Sequence, residues 1–200
     1  MQRKLSRLQT GETEIWKFDC DSNVYLLNID EPVVIDTGNR SNRDILKTFF
    51  PKVLPFEKVK KVMFTHLHFD HIGNFDLFPN AEFFAGKAEI EDFRKDPSGA
   101  VLKEEIAQKL KGSEIVLKDA KLIEQRGPEG FRVIETPGHT RGSICILYEP
   151  AKVIFSGDTF FRRGKMGRTD LPTSAPEKMQ ASFEKMLDYN YKVICPGHDY

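Results

Sequence analysis

The chain has no surplus of charge of either sign, with 30 Lys and Arg against 30 Asp and Glu in 200 residues. That balance excludes a whole-molecule field that would draw it to nucleic acid or an anionic membrane. Long apolar runs are missing too. None approaches the roughly 18 residues of a membrane span, and the opening MQRKLSRLQT holds no apolar signal-peptide core. The expectation is a soluble, cytoplasmic protein that acts on a small molecule, with neither nucleic acid nor membrane as partner. Cysteine is scarce: Cys20, Cys145 and Cys195 form no CxxC pair, and their odd number argues against a disulfide framework. Low-complexity tracts and Pro/Gly linkers are also lacking, so residues 1–200 read as one domain with one sizeable core.

What is present is an alternation of short strand-like and helix-like segments. Stretches rich in β-branched and aromatic residues at 14–18, 24–29, 33–35, 59–64, 82–85, 114–117, 131–135, 144–148, 153–156 and 192–195 predict strands, several of them apolar on both faces as buried strands are. Ser41 with Asp44, and Ser174 with Glu177, resemble capping boxes opening two helices. A third helix is expected from Gly99 to Leu110, with Leu102, Ile106 and Leu110 on one stripe and Gly112 near its C-cap; it reads as a surface helix or part of a lid. VVIDTG at 33–38 and VIFSGDT at 153–159 echo each other, each a buried strand that delivers an aspartate, as a duplicated half would leave.

The chain has only five histidines, and all lie in turn-forming segments directly after apolar strand candidates: His66, His68 and His71 in THLHFDH, His139 in PGHT and His198 in PGHD. Imidazole is the ordinary ligand of zinc and its neighbours, and sites in sheet proteins gather at strand ends. In a chain still extended after 62–64, residues two apart point the same way, so His66 and His68 can share one ion. Asp70 and His71 follow where the chain turns toward a helix and can diverge toward a second. Asp158 in SGDTFF is the candidate carboxylate to span both.

These motifs resemble the metallo-β-lactamase superfamily, whose HxHxDH signature stands here as His66, His68, Asp70 and His71, followed in order by His139, Asp158 and His198 and preceded by Asp36 in VIDTG. The resemblance implies a four-layer αββα sandwich of two mixed β-sheets flanked by helices. It also implies two divalent metal ions, zinc in the first place with iron or manganese as alternatives. His66, His68 and His139 would hold the first ion and Asp70, His71 and His198 the second, with Asp158 on both. Asp36 would orient a ligand, and Asp70 and Asp158 are the candidate catalytic carboxylates. The implied activity is hydrolysis by a metal-bound hydroxide.

Among branches, SGDTFFRRGKMGRTDLP resembles the corresponding stretch of compact glyoxalase II-like hydrolases, which cleave thioesters of glutathione. Arg168 then matches a basic residue that helps hold the glutathione moiety, and a surface arginine paired with Asp170 is the competing reading. The GRTD segment and final HDY also resemble an iron-dependent persulfide dioxygenase, and HLHFDH a lactonase. A non-catalytic metal-binding module is the outsider.

Overall fold

The computed structural model describes residues 4–199. Its larger sheet runs in sequential order: β1 (Leu5–Arg7), β2 (Glu14–Phe18), β3 (Val24–Asn28), β4 (Val33–Ile35), β5 (Lys61–Met63), β6 (Glu82–Ala85) and β7 (Leu117–Asp119). The first four strands pair antiparallel and the last four parallel. The smaller sheet is ordered β11 (Val193–Pro196), β10 (Val153–Gly157), β9 (Ile144–Tyr148), β8 (Phe131–Glu135). Helices α1 (Arg43–Phe49), α2 (Phe69–Ile72), α3 (Lys87–Lys95), α4 (Pro97–Val101), α5 (Glu104–Lys111), α6 (Leu122–Arg126) and α7 (Pro176–Lys185) complete the chain.

Period-two alternation explains the layering. Along β3, Val24 and Leu26 pack outward with Leu46, Ile90, Ile106 and Leu110 of the helices, while Tyr25 and Leu27 face inward. Phe131, Val133, Ile144, Ile146, Val153 and Phe155 of the smaller sheet meet that inner face. The opposite side of the smaller sheet, with Cys145, Leu147 and Ile154, is covered by Phe183 and Met186. The architecture is the expected αββα sandwich. No helix among the described residues is long and apolar enough to cross a membrane.

The two halves that share the VIDTG-like echo also share a pairing pattern. β4 is antiparallel to β3 and parallel to β5, as β10 is antiparallel to β9 and parallel to β11.

Three local expectations are corrected. The helix expected over 99–110 is broken: α4 ends at Leu102, whose φ of 63° is left-handed, and α5 restarts at Glu104. Ile106, Ala107 and Leu110 of α5 are buried in the core, so this segment presents only its corner at Leu102 to the surface cavity described below. Neither serine caps its helix. Asn39 accepts from the Ser41 amide at 3.1 Å, and Ser174 donates instead to the carbonyl of His139 at 2.7 Å. The strand expected at 114–117 lies at Leu117–Asp119, where the parallel register with β6 places it, and Val116 is exposed.

The turn between β9 and β10 holds Lys152 at φ 51°, a conformation that costs a residue with a Cβ about 1–2 kcal/mol. Its carbonyl accepts from the Lys192 and Val193 amides, which glycine would preserve. Lys152→Gly is expected to stabilise by roughly 1 kcal/mol after the entropic cost of glycine, raising Tm by about 2–4 °C in a thermal melt.

Candidate metal centre

The strands deliver their chemistry at one end of the sandwich. Asp36 follows β4, His66 follows β5, His68 precedes and Asp70 and His71 lie on α2, His139 sits in the β8–β9 loop, and Asp158 and His198 follow β10 and β11. Residues up to 132 positions apart, from His66 to His198, thus meet. Ring centroids lie 4.5 Å apart for His66 and His68, 4.7 Å for His68 and His139, 4.0 Å for His66 and His71 and 5.4 Å for His71 and His198.

Three sets of ligand atoms converge: His66, His68 and His139; Asp70, His71 and His198; and His66, His71 and Asp158. His68 Nδ1 lies 3.0 Å from His139 Nε2, and Asp158 reaches His71 Nε2 at 3.4 Å with Oδ1 while Oδ2 lies 3.6 Å from His139 Nε2 and 3.5 Å from His198 Nε2. Two donors bound to one ion at about 2.0–2.1 Å in tetrahedral geometry stand about 3.3 Å apart, so the spacing fits ligands on shared ions. Nε2 of His66 and of His71 and Oδ1 of Asp158 are buried without a hydrogen-bond partner. Leaving such groups unmet costs roughly 1–3 kcal/mol each, and a cation would satisfy all of them.

The opposite ring nitrogens are tied down, which fixes the side that faces the centre. His71 Nδ1 donates to Asp36 at 2.8 Å, His139 Nδ1 to the carbonyl of Arg168 at 2.7 Å, and His198 Nδ1 to the carbonyl of Asp21 at 2.7 Å. His66 Nδ1 meets Thr65 Oγ1 at 3.2 Å, and that hydroxyl donates in turn to Asp36 at 2.8 Å. Asp36 also accepts from the Thr65 amide at 2.8 Å, which makes it the brace of two histidines.

The electrostatics divide the site. Burial, reinforced by neighbouring imidazoles, holds His66 well below the usual histidine range and pushes His68 down to about 3; burial also lowers His139. These three are neutral at neutral pH, the form that offers lone pairs. Burial acts in the same sense on His71 and His198 but is outweighed. Asp158, Asp36 and Asp70 raise His71, and Asp70 and Asp158 raise His198. Protons there occupy the place that positive charge takes among three carboxylates. Asp70 and Asp158, despite burial, are held below the carboxylate range by His71 and His198.

Glycine closes the floor. A Cβ on Gly197 would collide with Asp158 Oδ1 and stand 2.7 Å from His71 Cε1, so only glycine lets β11 approach so closely. A cavity of about 460 Å³ opens onto the centre, and its lining includes Phe69, Leu102, Phe161, Lys165 and Met166. A larger cavity of about 590 Å³ beside β8 holds none of these residues and no convergent ligand set. Arg168 lies on the rim of the metal-side cavity, but its guanidinium is paired with Asp170 at 2.7 and 2.8 Å. What Arg168 gives the centre is its main-chain carbonyl.

Several supports carry no sequence signal. Ser22 Oγ lies 3.2 Å from His71 Nδ1, and Glu89, fully buried on α3, accepts from the Leu67 amide between His66 and His68 at 2.8 Å. Burial pushes the Glu89 carboxyl up. Glu89→Ala is expected to strand the Leu67 amide and cost about 1–3 kcal/mol, with weakened metal retention, while Glu89→Gln keeps an acceptor and recovers most of it. Thermal melts with and without metal compare the two; equal losses would show that the acceptor is not what matters.

The sequence profile of the Metallo-beta-lactamase superfamily matches residues 18–198. A probable metallo-hydrolase of Methanocaldococcus jannaschii is 29% identical over 185 residues, covering 88% of this chain and 87% of that protein. The hydroxyacylglutathione hydrolase of Francisella tularensis subsp. novicida is 30% identical over 149 residues, 72% of this chain and 50% of that one. Among solved structures, TTHA1623 in a di-iron-bound form superposes with a TM-score of 0.65 at 26% identity, covering 90% of this chain and 88% of that one. With the sandwich, the strand-end histidines and a profile that spans them all, the chain belongs to the metallo-β-lactamase superfamily.

Proposed function

We propose that the protein is a binuclear metal-dependent hydrolase of thioesters. His66, His68 and His139 hold one divalent ion, Asp70, His71 and His198 a second, and Asp158 both. The observation that carries this reading is Asp158 itself, whose two oxygens face ligand nitrogens of both sets at 3.4–3.6 Å. When bound, such a pair of ions supplies an acidified water and a Lewis acid for the carbonyl oxygen. The chain contributes the rest. The neutral imidazoles keep their lone pairs inward, Asp36 and the Arg168 carbonyl fix their orientation, and the aromatic wall of Phe69 and Phe161 limits water.

Thioesters fit because a thiolate leaves without a general acid. Outside the ligand set, the titratable side chains among the described residues lining the cavity are Asp21, Lys165 and the Asp170-paired Arg168, so a substrate whose leaving group needs no proton suits it. The likeness to a hydroxyacylglutathione hydrolase supports the same class. Zinc is the proposed metal, and a relative solved in a di-iron-bound form keeps iron in the comparison.

Metal analysis of the purified protein, run beside a panel of S-lactoylglutathione, other thioesters and lactones with oxygen uptake followed, tests the proposal. The expected result is two equivalents of metal per chain and thioester cleavage without oxygen consumption, lost on chelation and restored by zinc. A single iron with oxygen consumed on glutathione persulfide would overturn it in favour of a dioxygenase.

A further inference from the structure

The hairpin that lines the cavity carries four cations, Arg162, Arg163, Lys165 and Arg168. Phe160 bridges to Met166, and the Phe161 amide donates to the Lys165 carbonyl at 2.7 Å, closing residues 160–166 into a tight turn. Arg163 and Gly164 make that turn with φ of 63° and 72°. Arg162, Arg163, Lys165 and Arg168 are all exposed. Arg168 is matched by Asp170. Among the described residues no carboxylate pairs with Arg162, Arg163 or Lys165.

A chain with zero net charge therefore places three cations without a paired carboxylate on the turn beside its candidate site, whose cavity also holds the carboxylates of Asp21, Asp70 and Asp158. Lys165 lines the cavity directly, and Arg162 and Arg163 precede it in the same turn. Arg168, the residue that sequence likeness offers as a carboxylate clamp, has its fork already filled. Recognition of an anion falls to the unfilled cations. Three of them within four residues match a group with several charges better than a single carboxylate, because each exposed contact is weak and multiple charges are needed for a useful sum.

We propose that Lys165, Arg162 and Arg163 form a subsite for the phosphate groups of a thiol carrier, so that the thioesters cleaved at this centre are those of a phosphate-bearing pantetheine, as in coenzyme A, rather than of glutathione. The proposal rests on the thioester reading. Here the reacting sulfur lies at the metal centre, Phe161 and Met166 flank the uncharged arm, and the phosphates emerge at the turn. Met166, unusually exposed for its size at 41%, is the apolar surface such an arm would cover.

Calorimetric binding of coenzyme A, pantetheine and glutathione to the metal-loaded protein tests the subsite. All three carry a thiol; coenzyme A adds phosphates and adenosine to pantetheine, glutathione carries carboxylates instead, and the salt dependence separates the phosphate contribution from that of the adenosine. Coenzyme A is expected to bind about tenfold tighter than pantetheine at low ionic strength, with the gap closing at about 0.5 M salt. Lys165→Ala and the double variant Arg162→Ala/Arg163→Ala should each narrow that ratio, while Lys165→Arg keeps it. Equal binding of coenzyme A and pantetheine by the wild type, tighter binding of glutathione, or a ratio that survives loss of all three cations would overturn the subsite. The underlying hydrolase reading fails separately. A protein that shows the phosphate preference yet cleaves neither acetyl-coenzyme A nor S-acetylpantetheine retains the subsite and refutes the hydrolysis.

Discussion

Asp158→Ala is expected to lower kcat/KM on the best thioester by on the order of 10³-fold, the upper range for loss of one preorganised electrostatic contact, and to cost the protein an equivalent of bound metal. The reasoning is geometric. Among the described residues Asp158 is the one carboxylate whose oxygens face His71 at 3.4 Å, His198 at 3.5 Å and His139 at 3.6 Å. Alanine leaves each half of the centre with three ligands and nothing to set their separation, and positional error of about 1 Å can cost about 10²-fold by itself. The readouts are metal content after dialysis, steady-state kinetics, and the rise in Tm on adding metal, which reflects a stabilisation of about 2.7 kcal/mol at a hundredfold excess over Kd. Asp158→Asn, with one coordinating oxygen and no charge, should fall between. Retention of both metal equivalents by the alanine variant would remove the bridge from the proposal.

Asp36→Ala should produce the largest loss of stability. Asp36 does not face the centre, yet it accepts from His71 Nδ1, Thr65 Oγ1 and the Thr65 amide, all buried. Removing it leaves those donors unmet at once, for a combined cost of about 3–5 kcal/mol and a fall in Tm of about 10 °C or more. Backbone conformation adds to it, since Asp36 sits at φ 55°, which aspartate and asparagine tolerate better than alanine. Metal affinity should drop by about 10–100-fold, as it does when the carboxylate behind a ligating histidine is lost. Asp36→Asn, which keeps the backbone preference and one acceptor, is expected to recover part of both. If the alanine variant melted with the wild type and bound metal equally well, the brace would be decorative.

The convergence of the candidate ligands was legible in the sequence because they are side chains placed just after apolar strands: His66, His139, Asp158 and His198 each follow a segment whose strand character is plain. The four layers were legible for the same reason, since period-two alternation survives in β3, β9 and β10. What sequence could not reveal is whatever depends on main-chain atoms or distant packing. The carbonyls of Asp21 and Arg168 that hold His198 and His139 have no letter of their own. Glu89 looks like any glutamate on a charged helix until burial shows otherwise. The break at Leu102 has neither glycine nor proline to announce it, and the apolar stripe runs on through it. Ser174 has the spacing of a cap, but the carbonyl of His139 competes for its hydroxyl and wins.

The segment that carries His198 is fastened to the opposite end of the chain. The Asn23 amide donates to Gly197 at 2.7 Å, Tyr25 Oη and Asn23 Nδ2 donate to Pro196, and Lys17 is clasped between Asp19 and Asp199. The contacts that join the two segments span more than 170 positions, from the 171 between Tyr25 and Pro196 to the 182 between Lys17 and Asp199. In kinetic terms they close the longest loops in the molecule, and such closures come late in folding and reopen early. The ion-binding end of the sandwich is therefore expected to assemble after both sheets have formed, and to breathe on its own below the global melting point. Amide hydrogen exchange at Asn23 and Gly197 should then be fast in metal-free protein and slow once ions are bound, so that the protection of two backbone amides serves as a meter of occupancy.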